Sequence, residues 1–274
     1  MKYLPYKILI LVFCAAVLIS CKKETSAPPT SDTSVTALSL NSSHNSQTFY
    51  GPAVSIGKGV GRAWVSVNTT GKPIAMGVNL SATALLNQGT QQMDYVFEFP
   101  HQIDVTPFDH VEIGWNPQGH EPVGIYNVPH FDAHFYMITK EYQATIPFLA
   151  PPAFNLAPLA KYMPPAYIQT PGLVPNMGAH WVDVLSSEFQ PQGSFTKTFI
   201  FGSYNGQVTF YEPMFTKNYL QFLSDGVSTT TTPVRQPQAF QRAGYYPTSY
   251  SIGYDTNPKE FTLSLNNLTY HAAN

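Results

Sequence analysis

The sequence predicts a mainly β protein, an antiparallel sandwich or a jelly-roll or cupin-like barrel with a few short helices. Three observations carry this expectation. Short runs rich in β-branched and aromatic residues recur from about residue 49 onward, each bounded by turn-forming residues. Helical periodicity is scarce and brief. The sharpest local signal is a hairpin, in which residues 199–204 and 207–211 flank Asn205-Gly206, a pair that accepts the positive φ angles of a type I′ turn.

In chain order, the first run covers residues 60–67 and ends at Asn68-Thr69-Thr70-Gly71, after which residues 74–80 return. Further strands are expected over residues 95–99, 111–115, 131–138, 198–204, 207–211, 249–254 and 261–265. Helix is expected over residues 81–87, over 140–146 behind a Thr139 cap, and over 215–223. Residues 147–175 carry eight prolines interleaved with aromatic and aliphatic side chains, a density that excludes central strands and long helices. A connection packed over the sheet is the expectation there, with a semi-rigid lid as the functional alternative. Residues 229–232, four threonines before Pro233, read as a surface loop.

The N-terminus reads as an export address. Lys2 and Lys7 precede an apolar stretch over residues 8–19 that is too short to span a membrane, so residues 1–20 are expected to be a lipoprotein signal peptide. Leu18-Ile19-Ser20-Cys21 resembles a bacterial lipobox, which makes Cys21 the expected lipidation site. Residues 21–48, rich in Ser, Thr and Pro, form the expected flexible tether, and residues 49–274 a single β-rich domain. Localisation follows as the cell envelope, held to a membrane by lipid, either periplasmic or surface-exposed. Acyl chains contribute about 0.8 kcal/mol per buried methylene, so several hold firmly.

Processing changes the charge and thiol inventory. The whole chain has 14 basic and 16 acidic residues, and losing Lys2 and Lys7 leaves 12 and 16, a net charge of −4. No cluster of Lys and Arg is present, so nucleic acid is excluded as a partner. Of the two cysteines, Cys14 leaves with the signal and Cys21 carries the lipid. Disulfides and thiolate ligands are thereby removed, and any transition-metal site must use His with Asp, Glu or water.

Four of the eight histidines sit in unusual surroundings. His120 lies in Gly119-His120-Glu121-Pro122, His130 and His134 in Pro129-His130-Phe131-Asp132-Ala133-His134-Phe135-Tyr136, and His180 in Met177-Gly178-Ala179-His180-Trp181-Val182-Asp183. On a strand, His130, Asp132 and His134 share one face while Phe131, Ala133 and Phe135 occupy the other. Residues two apart are separated by about 6.7 Å at Cα and residues four apart by about 13 Å. Asp132 can therefore join either histidine at one ion, whereas both histidines can do so only if the strand bends. His120 and His180 are the expected ligands from other segments. Glu121 is expected as a further ligand or as a general base, against the plainer role of a turn residue set by Pro122. Glu212, at a strand end, borders such a pocket or is simply a solvated charge. His44, His101, His110 and His271 lack comparable surroundings.

These strings, together with Thr106-Pro107-Phe108-Asp109-His110, Phe195-Thr196-Lys197-Thr198-Phe199-Ile200, Phe210-Tyr211-Glu212-Pro213-Met214 and Tyr246-Pro247-Thr248, give the chain a likeness over roughly residues 55–267. It resembles a family of exported bacterial proteins with a domain of unknown function, typified by a Thermus protein under envelope-stress sigma-factor control. The resemblance implies that His120, Glu121, His130, Asp132, His134 and His180 belong to the family's pattern, and it brings no activity with it. The lipobox followed by Lys22-Lys23 is similar to lipoproteins of the Bacteroidetes.

The sequence contains no Gly-x-Ser-x-Gly elbow, Walker-type loop, dinucleotide fingerprint or His-Glu-x-x-His helix, so serine hydrolase, nucleotide and nicotinamide chemistry lack support. The leading expectation is a divalent-metal site built from the four histidines with Asp132 or Glu121. Zinc stands foremost, with iron, manganese or copper also accommodated by imidazole. The expected chemistry is hydrolysis, or a cupin-like lyase or oxygenase reaction, on a small molecule. The alternative is a non-enzymatic envelope module that binds a partner or assembles as a homo-oligomer.

Overall fold

The computed structural model describes residues 46–147 and 156–274. The signal segment 1–20, most of the tether including Cys21, and residues 148–155 of the proline-rich stretch lie outside the described residues. Strands β1 (Ser46–Ile56), β2 (Gly59–Asn68), β3 (Pro73–Ser81), β14 (Glu260–Asn266), β13 (Ser249–Asp255) and β11 (Thr229–Pro233) stand in that order in a six-stranded sheet. A seven-stranded sheet runs β4 (Met93–Glu98), β5 (His110–Asn116), β6 (His130–Tyr136), β10 (Gln207–Thr216), β9 (Lys197–Tyr204), β8 (Ala179–Asp183) and β7 (Tyr167–Gln169). Strands β12 (Gly244–Tyr246) and β15 (Thr269–His271) make a two-stranded ribbon. All pairings between these strands are antiparallel.

The two large sheets pack face to face as a sandwich. Val65, Val78, Ile252 and Leu263 of one share a buried core with Val111, Ile113, Phe131, Phe135, Phe201 and Tyr211 of the other. Aromatic rings dominate its centre, with Trp115 and Phe131 centroids 4.6 Å apart and Phe201 and Tyr211 4.4 Å apart. Each such side chain contributes about 1.5–3 kcal/mol on burial. The expected antiparallel sandwich is what forms, and the sheets do not close into a barrel. Closure requires the first and last strands to hydrogen-bond with a fixed stagger, and among the described residues β1, β11, β4 and β7 remain outer strands.

Local chemistry explains the elements that position the site. In the β9–β10 hairpin Tyr204 pairs with Gln207, while Asn205 and Gly206 take φ of 49° and 78°, as a type I′ turn requires. Helix α2 (Lys140–Gln143) is capped by Thr139, whose hydroxyl accepts from the Tyr142 N–H. Helix α1 (Ala82–Leu86) fills the expected first position. The third helix, α3 (Lys217–Ser224), starts two residues later than the sequence suggested, because Phe215 pairs with Phe131 in the sheet and Thr216 caps the helix. Residues 229–232 form the outer strand β11 rather than a loop, since β-branched threonines suit a half-covered sheet margin and pair with β13. Strand β1 begins at Ser46, so it takes in residues 46–48 of the expected tether. No helix among the described residues is long and apolar enough to cross a membrane.

Candidate metal centre

Strand β6 lies between β5 and β10, and its two-residue period separates the chemistry as the sequence suggested. Phe131, Ala133 and Phe135 belong to the sandwich core. His130, Asp132 and His134 face the other way. This second face is also covered: Tyr126, Phe195, Ile200 and Met214 cluster at one end, and Tyr136, Ile138, Ile146 and Phe210 at the other. Between these apolar patches the sheet register sets a polar strip, with Asn116 opposite His130, Gly114 opposite Asp132 and Glu112 opposite His134.

The first cluster joins His120, His130 and Asp132. Segment 117–128 carries His120 over the strip, where its Nε2 stands 3.2 Å from Asp132 Oδ2. His130 Nε2 lies 3.1 Å from Asp132 Oδ1, off the line of a hydrogen bond. Both rings are anchored from behind. His120 Nδ1 donates to the Glu121 carbonyl and His130 Nδ1 to the Val128 carbonyl, each at 2.7 Å. A neutral imidazole whose Nδ1 proton is committed presents only a lone pair at Nε2. Two lone pairs then face one carboxylate, and only a cation between them, a proton or a metal, makes that favourable. Ligand atoms about 2.0–2.1 Å from a tetrahedral zinc are about 3.3–3.4 Å from each other, close to the spacings found here.

Electrostatics agree with an ionised carboxylate in this cluster. Burial works to raise Asp132, but the His120 hydrogen bond and the close approach of the His130 ring outweigh it and hold the carboxyl well below its usual range. Burial lowers His120, yet its contacts with Asp132 and the Glu121 carbonyl leave it raised overall. Asn116 Nδ2 donates to Asp132 Oδ2 at 2.7 Å and fixes that oxygen. Gly114 leaves room beside it, for a methyl group there would meet Asp94 Oδ1 at 3.0 Å. Asp94 is itself raised by burial and by the charge on Asp132.

A second cluster joins His134, His180 and Glu212. Strand β10 places Glu212 between Tyr211, opposite Phe135, and Met214, opposite Asp132. Its carboxylate lies 3.4 Å from His134 Nε2 and 3.7 Å from His180 Nε2. Burial, then the charge on Asp132, pushes Glu212 well above the usual carboxyl range. Burial chiefly, opposed by Asp132, lowers His134 to about 3 and His180 to about 4. In each cluster the ligand atoms all lie within 4.8 Å of one another.

The single convergent site expected from the sequence is therefore divided. Strand β6 stays regular and paired on both sides, so His130 and His134 keep their separation and Asp132 sides with His130. Glu121 does not present its carboxylate to either cluster, because Oε2 accepts from the Val123 N–H at 2.9 Å, and the residue contributes its backbone carbonyl instead. Asn116 and Glu112 escaped notice in the sequence, although the alternation His110, Glu112, Gly114, Asn116 was visible there. His110 is also buried, bonded to Asp109 and Gln143. Comparison with protein-family models, with curated proteins and with solved structures found no match.

Proposed function

We propose that this chain is a cell-envelope lipoprotein, anchored through Cys21, that binds a divalent metal ion through His120, His130 and Asp132 and uses it in chemistry on a small molecule. The observation that carries the reading is the pair of backbone-anchored imidazoles, each turning Nε2 toward the same buried carboxylate, with His130 Nε2 left without a hydrogen-bond partner among the described residues. Two histidines and one carboxylate leave coordination positions for water or substrate. When bound, an ion at such a centre polarises water or a substrate oxygen, which suits hydrolysis, and the same donor set also serves non-haem iron oxygenases.

The chain's own residues set the conditions. His120 is the accessible limb, with its side chain 39% exposed, while His130 is fully buried. A small molecule therefore approaches from the segment 117–128 side. Asn116 holds the carboxylate, and the Glu121 and Val128 carbonyls fix both tautomers. A non-enzymatic assembly module is the second reading, favoured by the outer position of β7 and by Ile168, a 55% exposed apolar side chain on it. Elemental analysis of the gently purified protein tests the first reading. Zinc, iron or manganese near one or more equivalents per chain, reduced in His130→Ala, is expected. Metal-free protein that takes up none on incubation contradicts it.

A further inference from the structure

The cluster of His134, His180 and Glu212 uses none of the atoms assigned to the first site. His134 and Glu212 are each 2% exposed at the side chain, and His180 is 17% exposed. Three of their atoms, His134 Nδ1 and Nε2 and Glu212 Oε2, have no hydrogen-bond partner among the described residues. Each unsatisfied buried polar group costs about 1–3 kcal/mol, so His134 Nε2 and Glu212 Oε2 need something to engage them, while His134 Nδ1, on another side of the ring, points away from that place. Glu212 finds only imidazoles as ion-pair partners among the described residues.

The surrounding strip is rich in carboxyl groups. Glu112 stands opposite His134 across β5 and β6, and Asp132 precedes His134 by one turn of the strand period. Cross-strand neighbours of this kind have Cβ atoms about 4.5–5.5 Å apart. The arrangement is actively built. Gly202 of β9 pairs with both His180 and Phe210, and a methyl group on it would collide with the Phe210 ring. Phe210 thereby settles over the glycine, its centroid 4.8 Å from that of His134 and 5.2 Å from that of His180, and walls the cluster.

We propose that His134, His180 and Glu212 form a second divalent-cation site, distinct from the first, taking a borderline metal such as zinc. The separations are 3.4 Å from His134 Nε2 to Glu212 Oε1 and 3.7 Å from His180 Nε2 to Glu212 Oε2, one to each carboxylate oxygen and near the ligand–ligand spacing of about 3.3–3.4 Å around a tetrahedral ion. Imidazole and carboxylate donors accept zinc, iron or manganese, and the depth of the cluster suits an ion held for structure or for polarising a ligand at the neighbouring centre.

Calorimetric titration of the whole, chelator-treated chain with zinc tests this independently of the first site. Two zinc ions per chain are expected, one surviving in Glu212→Gln, one surviving in His120→Ala, and none in the double variant. A single ion that Glu212→Gln retains overturns the inference and leaves the first site standing. A single ion lost in Glu212→Gln and retained in His120→Ala upholds it and removes the first reading instead. Uptake of two ions unaffected by Glu212→Gln, or no uptake at all, also overturns it. Should Glu212→Gln fail to fold, His180→Ala at the most exposed of the three positions carries the same expectation.

Discussion

Replacing His134 by Gln removes a titrating ring and keeps a side chain of similar reach. In the metal-free protein, burial holds this imidazole down to about 3, with the opposing pull of Asp132 overcome, whereas its ordinary value is 6.5. The unfolded chain therefore gains a proton near 6.5 that the folded chain refuses. Stability tied to His134 is complete above about pH 6.5 and drains as the pH falls toward its folded value. Between about pH 7 and about pH 5 the loss integrates to about 2 kcal/mol, each unit of full difference being worth about 1.4 kcal/mol. Glu212, 3.4 Å from His134, has a raised carboxyl that acts in the opposite sense, and repeating the comparison in a Glu212→Gln background separates the two contributions. Urea unfolding with chelator, at both pH values, reads the effect. The wild type should lose about 2 kcal/mol more than His134→Gln on acidification. Equal losses in the two proteins would refute a buried, neutral His134.

Three further substitutions separate the parts of the account. Asn116→Ala takes away the donor to Asp132 Oδ2, and zinc affinity at the first site should fall about 10–100-fold in competition with a chelating dye; unchanged affinity would show the contact to be incidental. Gly202→Ala forces a methyl group into the Phe210 ring and should destabilise the protein by about 1–3 kcal/mol in thermal or urea unfolding, whereas a wild-type curve would mean that the wall of the second cluster yields freely. Glu121→Gln should leave zinc uptake as it is, because the carboxylate bonds its own turn and only the backbone carbonyl supports His120; loss of uptake would return Glu121 to the metal.

Much of this fold was legible because its signals are local. Asn205-Gly206 forces a hairpin wherever two β-prone runs flank it, and Thr139 caps a helix regardless of its neighbours. The alternation across residues 130–136 separated the core face from the His/Asp face before any partner strand was known. Strand spacing even forecast that His130 and His134 would resist sharing an ion. What remained hidden depends on non-local register. Glu212 reads as a solvated strand-end charge until β10 is laid against β6, which buries it beside His134. Residues 229–232 read as a loop until β13 supplies a partner. The two-cluster division follows from the same cause, since His120 and His180 reach the strip from segments whose docking no spacing along the chain encodes. Glu121 misled because a carboxylate beside a histidine looks like a ligand, while its own backbone offers a nearer hydrogen bond.

Anomalous diffraction from a zinc-loaded crystal, recorded on both sides of the zinc absorption edge, tests the central claim most directly. An anomalous peak is expected about 2.0–2.2 Å from Nε2 of His120, Nε2 of His130 and a carboxylate oxygen of Asp132. A zinc-saturated crystal with those three side chains ordered and no peak among them would contradict it.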